Sequence, residues 1–200
     1  MRSRRSKTKS NLLEHLSLLE MEVYFSENTE IQHPKEIKSA YVFQSLPFDM
    51  KKNAIVFFLN EILINSVREH EANPPFFQFI YDTIIELDTT KESVASFHLY
   101  FMLRISRFLG FFPALNYSEG NCIFNLNEGK FQPVVPVDED YLPPRLSGIF
   151  FRFISSPEKE FQLSYAERTL LLEKLIAYFR IHLPGFREVK SLPVLKTVLN

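Results

Sequence analysis

The sequence predicts a mostly α protein: a helical bundle domain with a small inserted β-hairpin, preceded by a short strand-like segment. Two observations carry this prediction. Ahead of Asp49 the apolar residues alternate with a period of about two, and from Asp49 onward they recur about every 3.6 residues, the signatures of strand and helix. Twenty-one Phe, no Trp and only five Gly among 200 residues describe a packed, helix-rich interior. An apolar content of 46% is enough for one sizeable core, or for one core and a small satellite domain.

In LLEMEVYF, residues 18 to 25, Leu19, Met21, Val23 and Phe25 fall on one side and Glu20, Glu22 and Tyr24 on the other, which predicts a strand with one wet face. ENTEIQHPKEIKSAYVF follows as a turn and a second extended stretch broken by Pro34. A strand pair this small is marginal alone and needs further strands or a helix to pack on. Asp49 is placed as the N-cap of a helix through MKKNAIVFFLNEILINSVREHE, with Ile55, Phe58, Leu59 and Ile62 as its buried stripe and the charged run from Arg68 to Glu71 closing it. Pro74 and Pro75 suit the first turn of the next helix, PPFFQFIYDTIIELD.

KESVASFHLYFMLRISRFLG predicts a third helix that is apolar on nearly every face and therefore central to the bundle. Val94, Phe97, Phe101, Ile105 and Phe108 line one side, with Leu99, Met102 and Leu103 on others. Gly110 stops it, with Pro113 just beyond. Residues 116 to 133, NYSEGNCIFNLNEGKFQP, read as a hairpin turning around Asn127, Glu128 and Gly129. Helices resume at about Leu142 to Ile154. Ser164 with Glu167 forms a capping box ahead of RTLLLEKLIAYFRIHL, which ends at Pro184 and Gly185, and SLPVLKTVL closes the chain as a short helix.

Charge is distributed unevenly. RSRRSKTKSN, residues 2 to 11, holds Arg2, Arg4, Arg5, Lys7 and Lys9 with no acid among them. The whole chain carries 23 Lys and Arg against 24 Asp and Glu, so without this run the balance is 18 against 24. One basic strip on a slightly acidic body points to a single contact edge for nucleic acid, with the remaining surface open to protein partners. A secretory signal is excluded by Glu14, His15, Glu20 and Glu22, which interrupt the apolar run that follows. No segment has the roughly 18 uncharged apolar residues of a membrane span. The chain reads as soluble and cytoplasmic.

Residues that carry catalysis are almost absent. The five glycines are isolated, so neither a phosphate-cradling loop nor a dinucleotide fingerprint exists. His15, His33, His70, His98 and His182 lie in no metal-ligand spacing, and His98, beside an apolar stripe, reads as a hydrogen-bonded core or boundary histidine. Cys122 has no nearby base to activate it and excludes both an internal disulfide and a multi-cysteine metal site. These residues suggest neither an enzyme nor a cofactor.

The order of NLLEHLSLLEMEVYF, AYVFQSLPFD, FHLYFMLRISRFLGFFPAL and HLPGFREVKSLPVLKTVL resembles the RecO family of bacterial recombination mediators, with matches spread from about residue 3 to residue 199. The resemblance implies an N-terminal OB-fold, a five-stranded barrel that binds nucleic acid, followed by a helical domain. Residues 1–45 then correspond to a remnant of the OB-fold, its basic loop and last strands. Residues 46–200 correspond to the helical domain, with the hairpin insertion at 116–133. Further implications are binding of single- and double-stranded DNA, strand annealing, docking of the tail of single-strand-binding protein, and work with RecR to load RecA. These place the protein in DNA repair and recombination after DNA damage, in the cytoplasm at the nucleoid, with no catalytic residue. Two departures from the family carry expectations of their own. Its OB-fold normally begins some dozens of residues earlier, so this chain starts inside the basic loop. Many members hold zinc with two Cys-x-x-Cys pairs in the insertion, whereas only Cys122 stands there here, which implies a metal-free hairpin.

Two sets of residues become site candidates. Arg2, Arg4, Arg5, Lys7 and Lys9, spaced by Ser and Thr, can meet successive phosphates and give salt-sensitive binding without sequence preference. Ser93, Ser96, Tyr100, Arg104 and Arg107 form the only polar stripe of the central helix. Of these, Tyr100, Arg104 and Arg107 are candidates to receive the acidic, Phe-ended tail of single-strand-binding protein. A helical interaction adaptor with an incidental basic N-terminus is the alternative from another class, and a hydrolase using carboxylates without a recognisable motif is a third.

Overall fold

The computed structural model of the protein describes residues 12–29, 31–67, 72–138, 140–156 and 161–200. The first elements are two antiparallel strands, β1 (Leu19–Tyr24) and β2 (His33–Ser39). Their register runs from Leu19 opposite Ser39 to Glu22 opposite Glu36, then slips so that Val23 faces Pro34. The slip falls beside Pro34, which has no N–H for the ladder and is tolerated only at an edge or a bulge. Alternation predicts one covered apolar face, but Met21 and Val23 are 47% and 44% exposed, and nearly every residue of both strands is open. The reason is packing: the helices form their own core, and among the apolar residues leading into β1 only Leu18 is buried with it.

The helices follow the periodicity. α1 (Met50–Ser66) starts at Asp49, whose carboxylate accepts the N–H groups of Lys51 at 2.8 Å and Lys52 at 3.1 Å. Ile55, Phe58, Leu59 and Ile62 are fully buried, as the stripe predicts. The predicted helix continued to Glu71, whereas α1 closes at Ser66, and residues 68–71 lie outside the described set. α2 (Pro74–Thr89) opens on its two prolines behind an Asn73 cap. α3 (Phe97–Phe108) begins later than its sequence suggests, because Ser96 occupies the N-cap position and Val94 reaches the core from the preceding loop. Gly110, at φ +83°, ends it, and Phe111 N–H reaches back to Ser106 carbonyl at 3.0 Å.

In the insertion, β3 (Ile123–Asn125) and β4 (Lys130–Gln132) make the predicted hairpin. A third strand, β5 (Tyr141–Leu142), pairs with the other edge of β3 and takes up Leu142, the first residue assigned to the next helix. α4 (Pro144–Ser155) therefore starts just after it. The hairpin is part of the core: Phe124 and Phe131 are 2% exposed and stand 4.9 Å apart, and Phe124 meets Phe150 of α4 at 4.9 Å. α5 (Tyr165–His182) carries both halves of the Ser164–Glu167 capping box. α6 (Leu192–Val198) packs on α1. Glu61 of α1 accepts the N–H groups of Lys190 at 2.7 Å and Ser191 at 2.8 Å.

A buried polar cluster ties the segment after β2 to the helices. Asp88, 2% exposed near the end of α2, accepts the N–H groups of Gln44, Ser45 and Leu46 at 2.8–3.1 Å and the Tyr41 hydroxyl at 3.1 Å. Lys52, 6% exposed, donates to Ser45 Oγ at 2.8 Å and to the carbonyls of Asp88 at 2.9 Å and Thr90 at 2.7 Å. Those carbonyls belong to the end of α2, where the helix has no internal partner for them and favours a cation.

Candidate functional site

Ser93 and Ser96 stand just ahead of α3, and Tyr100 and Arg104 follow on successive turns of it. All four line one cleft of about 400 Å³. Thr83 and Glu86 of α2, with Thr90 and Glu92 just after it, form a second wall, and residues 161–163 with Arg168 of α5 form a third. Val94, Phe97, Phe101, Phe161 and Leu163 supply its apolar surface.

The positive groups are held in place. Arg104 is half-buried, with its guanidinium 4.8 Å from the centre of the Phe79 ring and Nη1 3.6 Å from a carboxylate oxygen of Glu86. Arg168 donates to Leu163 carbonyl at 2.7 Å, inside the first turn of α5. The Tyr100 ring packs 4.3 Å from Phe153, which fixes its position at the cleft wall. Two guanidinium groups from different helices, hydroxyls and an aromatic surface together suit a short anionic segment that also carries an apolar side chain.

The structure divides the candidate trio. Tyr100 and Arg104 meet in the cleft, while Arg107 is exposed elsewhere, its guanidinium 4.1 Å from the centre of the Phe112 ring. Arg2, Arg4, Arg5, Lys7 and Lys9 lie outside the described residues. Arg168 and Glu86 were not found from the sequence. The capping box placed Arg168 at a helix start, but no spacing connects residue 168 to residue 104.

Among the described residues, the carboxyl groups with displaced pKa values are all lowered. Burial alone would push the Asp88 carboxyl up, yet the N–H groups of Gln44, Leu46 and Ser45 and the Tyr41 hydroxyl hold it below its usual value. At Glu61 burial is likewise outweighed, by the Ser191 hydroxyl and the N–H groups of Ser191 and Lys190. Glu167 is lowered by the Ser164 hydroxyl and N–H of its own capping box. A general acid at neutral pH needs a raised carboxyl, and these three are lowered and saturated by donors. His98 is a core residue, 3% exposed, but it is not satisfied as expected: Nδ1 has no hydrogen-bond partner among the described residues. Burial, reinforced by the charge of Arg168, lowers its pKa to about 3. Cys122 is a half-buried free thiol, and among the described residues no three His, Cys, Asp or Glu side chains converge as a metal site would require. Among the same residues, no helix is long and apolar enough to cross a membrane.

Residues 47–193 match the family model described as "Recombination protein O C terminal". The chain is 36% identical over 203 residues to the "DNA repair protein RecO" of Bacteroides fragilis, an alignment covering 100% of this chain and 84% of that protein. Its identity to the protein of the same name from Flavobacterium psychrophilum is 33% over 201 residues, covering 99% of this chain and 83% of the relative. No solved structure gives a significant match. The six helices of the described residues, with the small sheet inserted among them, are the helical architecture expected of that domain. With the family model spanning most of the sequence and the two alignments covering nearly all of this chain, the chain belongs to the RecO family of DNA repair and recombination proteins.

Proposed function

We propose that the protein is a recombination mediator without chemistry of its own, which binds DNA and docks the acidic tail of single-strand-binding protein. The observation that carries this reading is the cleft, where Arg104 and Arg168 flank an apolar, aromatic surface. Carboxylates of the tail meet the guanidinium groups while its terminal Phe enters between Phe97, Phe101 and Phe161. Tyr100 shapes the wall against which that ring rests. Arg2, Arg4, Arg5, Lys7 and Lys9 contact DNA phosphates, single- and double-stranded alike, and β1 and β2 belong to the OB-fold that displays them. By the same reading the protein acts with RecR to load RecA and anneal strands, in the cytoplasm at the nucleoid. Residues 46–200 are the protein-docking unit and residues 1–45 the DNA-contacting one.

Fluorescence anisotropy of the intact chain tests both halves. A labelled peptide with several Asp residues and a C-terminal Phe should bind and be displaced by its unlabelled form, whereas a peptide with Asn for Asp should not compete. Labelled single-stranded DNA should bind with an affinity that falls as salt rises, because phosphate contacts release counterions. Absence of peptide binding would refute the cleft assignment, and absence of salt-sensitive DNA binding would favour an adaptor without a DNA role.

A further inference from the structure

Of the two carboxylates that line the cleft, Glu86 and Glu92, Glu86 stands at Arg104, where an acidic ligand would place an anion. Glu86 projects from α2 to within 3.6 Å of Arg104 Nη1, and both side chains are a little over one third exposed, at 37% and 39%. Arg104 also lies over the Phe79 ring, a contact independent of Glu86. We propose that Glu86 is a built-in competitor and the specificity-determining residue of this cleft. It occupies the Arg104 guanidinium while the cleft is empty and must yield, or share it, when an acidic segment enters. The inference presupposes that the cleft receives such a segment.

Three physical points support it. First, an ion pair this exposed contributes little, since water and salt screen it and two side chains must be ordered, so it can be displaced. Second, a guanidinium presents five donors and can serve two carboxylates, but two carboxylates drawn to one guanidinium repel each other across a few ångströms. A ligand therefore binds more weakly than it would to Arg104 alone. Third, the Phe79 ring keeps the guanidinium at the cleft when Glu86 lets go, so release costs no reordering of the arginine. The consequence for selectivity is that a ligand with only apolar groups gains nothing at Arg104, which Glu86 already neutralises. A ligand rich in carboxylates displaces Glu86.

The test is peptide anisotropy with the full chain and three variants: Glu86→Gln, Arg104→Gln and the double variant, each checked for folding by far-UV circular dichroism. The peptide carries several Asp residues and a C-terminal Phe, and a second peptide has Asn in place of Asp. Glu86→Gln should bind the acidic peptide about three- to tenfold more tightly, the range set by removing one partly screened like charge. Its binding should also weaken more steeply with added salt, since the cleft gains one net positive charge. In the Arg104→Gln background the gain from Glu86→Gln should shrink to the residual repulsion between Glu86 and the peptide, under about twofold, and the Asn peptide should show no gain in either background. Unchanged or weaker binding by Glu86→Gln, or an equal gain without Arg104, would overturn the competitor role while leaving the docking reading intact. Failure of the wild-type chain to bind the acidic peptide would overturn both.

Discussion

Replacing Asp88 by Asn changes one atom type at a side chain that accepts several hydrogen bonds at once. The carboxylate receives three backbone N–H groups, from Gln44, Ser45 and Leu46, and the Tyr41 hydroxyl. Asn keeps one acceptor oxygen and turns a donor toward the remaining partners. The Tyr41 hydroxyl can rotate to accept, but a backbone N–H cannot. A hydrogen bond to a charged group is worth about 1 kcal/mol more than a neutral one, so three weakened N–H contacts amount to about 3 kcal/mol. Lys52 keeps its own bonds, since it donates to the Asp88 backbone carbonyl and not to the carboxylate. For a chain of this size a loss of about 3 kcal/mol lowers the melting temperature by about 6–12 °C. Urea unfolding followed by far-UV circular dichroism measures it directly. The pH dependence has a definite sign. The folded carboxyl lies below its ordinary value, so its contribution is present above the unfolded value of about 3.9 and is lost as pH falls through the folded one. Asp88→Asn should therefore flatten the acid limb of the stability profile. A loss under about 1 kcal/mol with an unchanged acid limb would show that these contacts do not hold the segment in place.

Gly129→Ala should cost about 2–3 kcal/mol in the same unfolding assay. Its φ of +62° disfavours a side chain, and a Cβ would stand 2.7 Å from the Tyr178 hydroxyl, which donates to Phe111 carbonyl at 2.6 Å. Arg104→Glu should abolish binding of the acidic, Phe-ended peptide while Arg107→Glu leaves it within about twofold, since a lone surface charge outside the cleft contributes little; equal losses would return Arg107 to the site. Replacing Arg2, Arg4, Arg5, Lys7 and Lys9 together by Ala should weaken single-strand binding about equally for different sequences. Each lost phosphate contact should reduce the salt slope by about 0.7, and unchanged affinity and slope would place the DNA contacts elsewhere.

What the sequence discloses is what lies within one or two turns of itself. The α1 stripe, the Gly110 stop and the Ser164–Glu167 box are local patterns, and each appears in the structure where the residues predict it. The start of α3 was misplaced because Val94 keeps the helical spacing with Phe97 and Phe101 while standing in a loop. β5 has two residues, too few for any period to register, and exists because β3 offers it an edge. The cleft was half legible: Tyr100 and Arg104 share a helix face, whereas Glu86 and Arg168 come to them from other helices. The Asp88 cluster was invisible for the same reason, since its partners Gln44, Ser45 and Leu46 are more than forty residues away.

The pairing of α1 with α6 has a consequence for the order of events during synthesis. Glu61 receives Ser191 N–H and hydroxyl across 130 positions of sequence, and Leu195 of α6, 1% exposed, belongs to the same apolar core as α1. The helix α1 is thus completed by a segment that leaves the ribosome 130 positions later. Closing so long a loop is entropically expensive and slow relative to local helix formation. During the interval α1, α2 and α3 can associate through nearby contacts, but the side of α1 that α6 will cover stays open to water and to chaperones. At elongation rates of about 5–20 residues per second the wait for those 130 positions lasts about 6–26 s, far longer than the microseconds a helix needs to form.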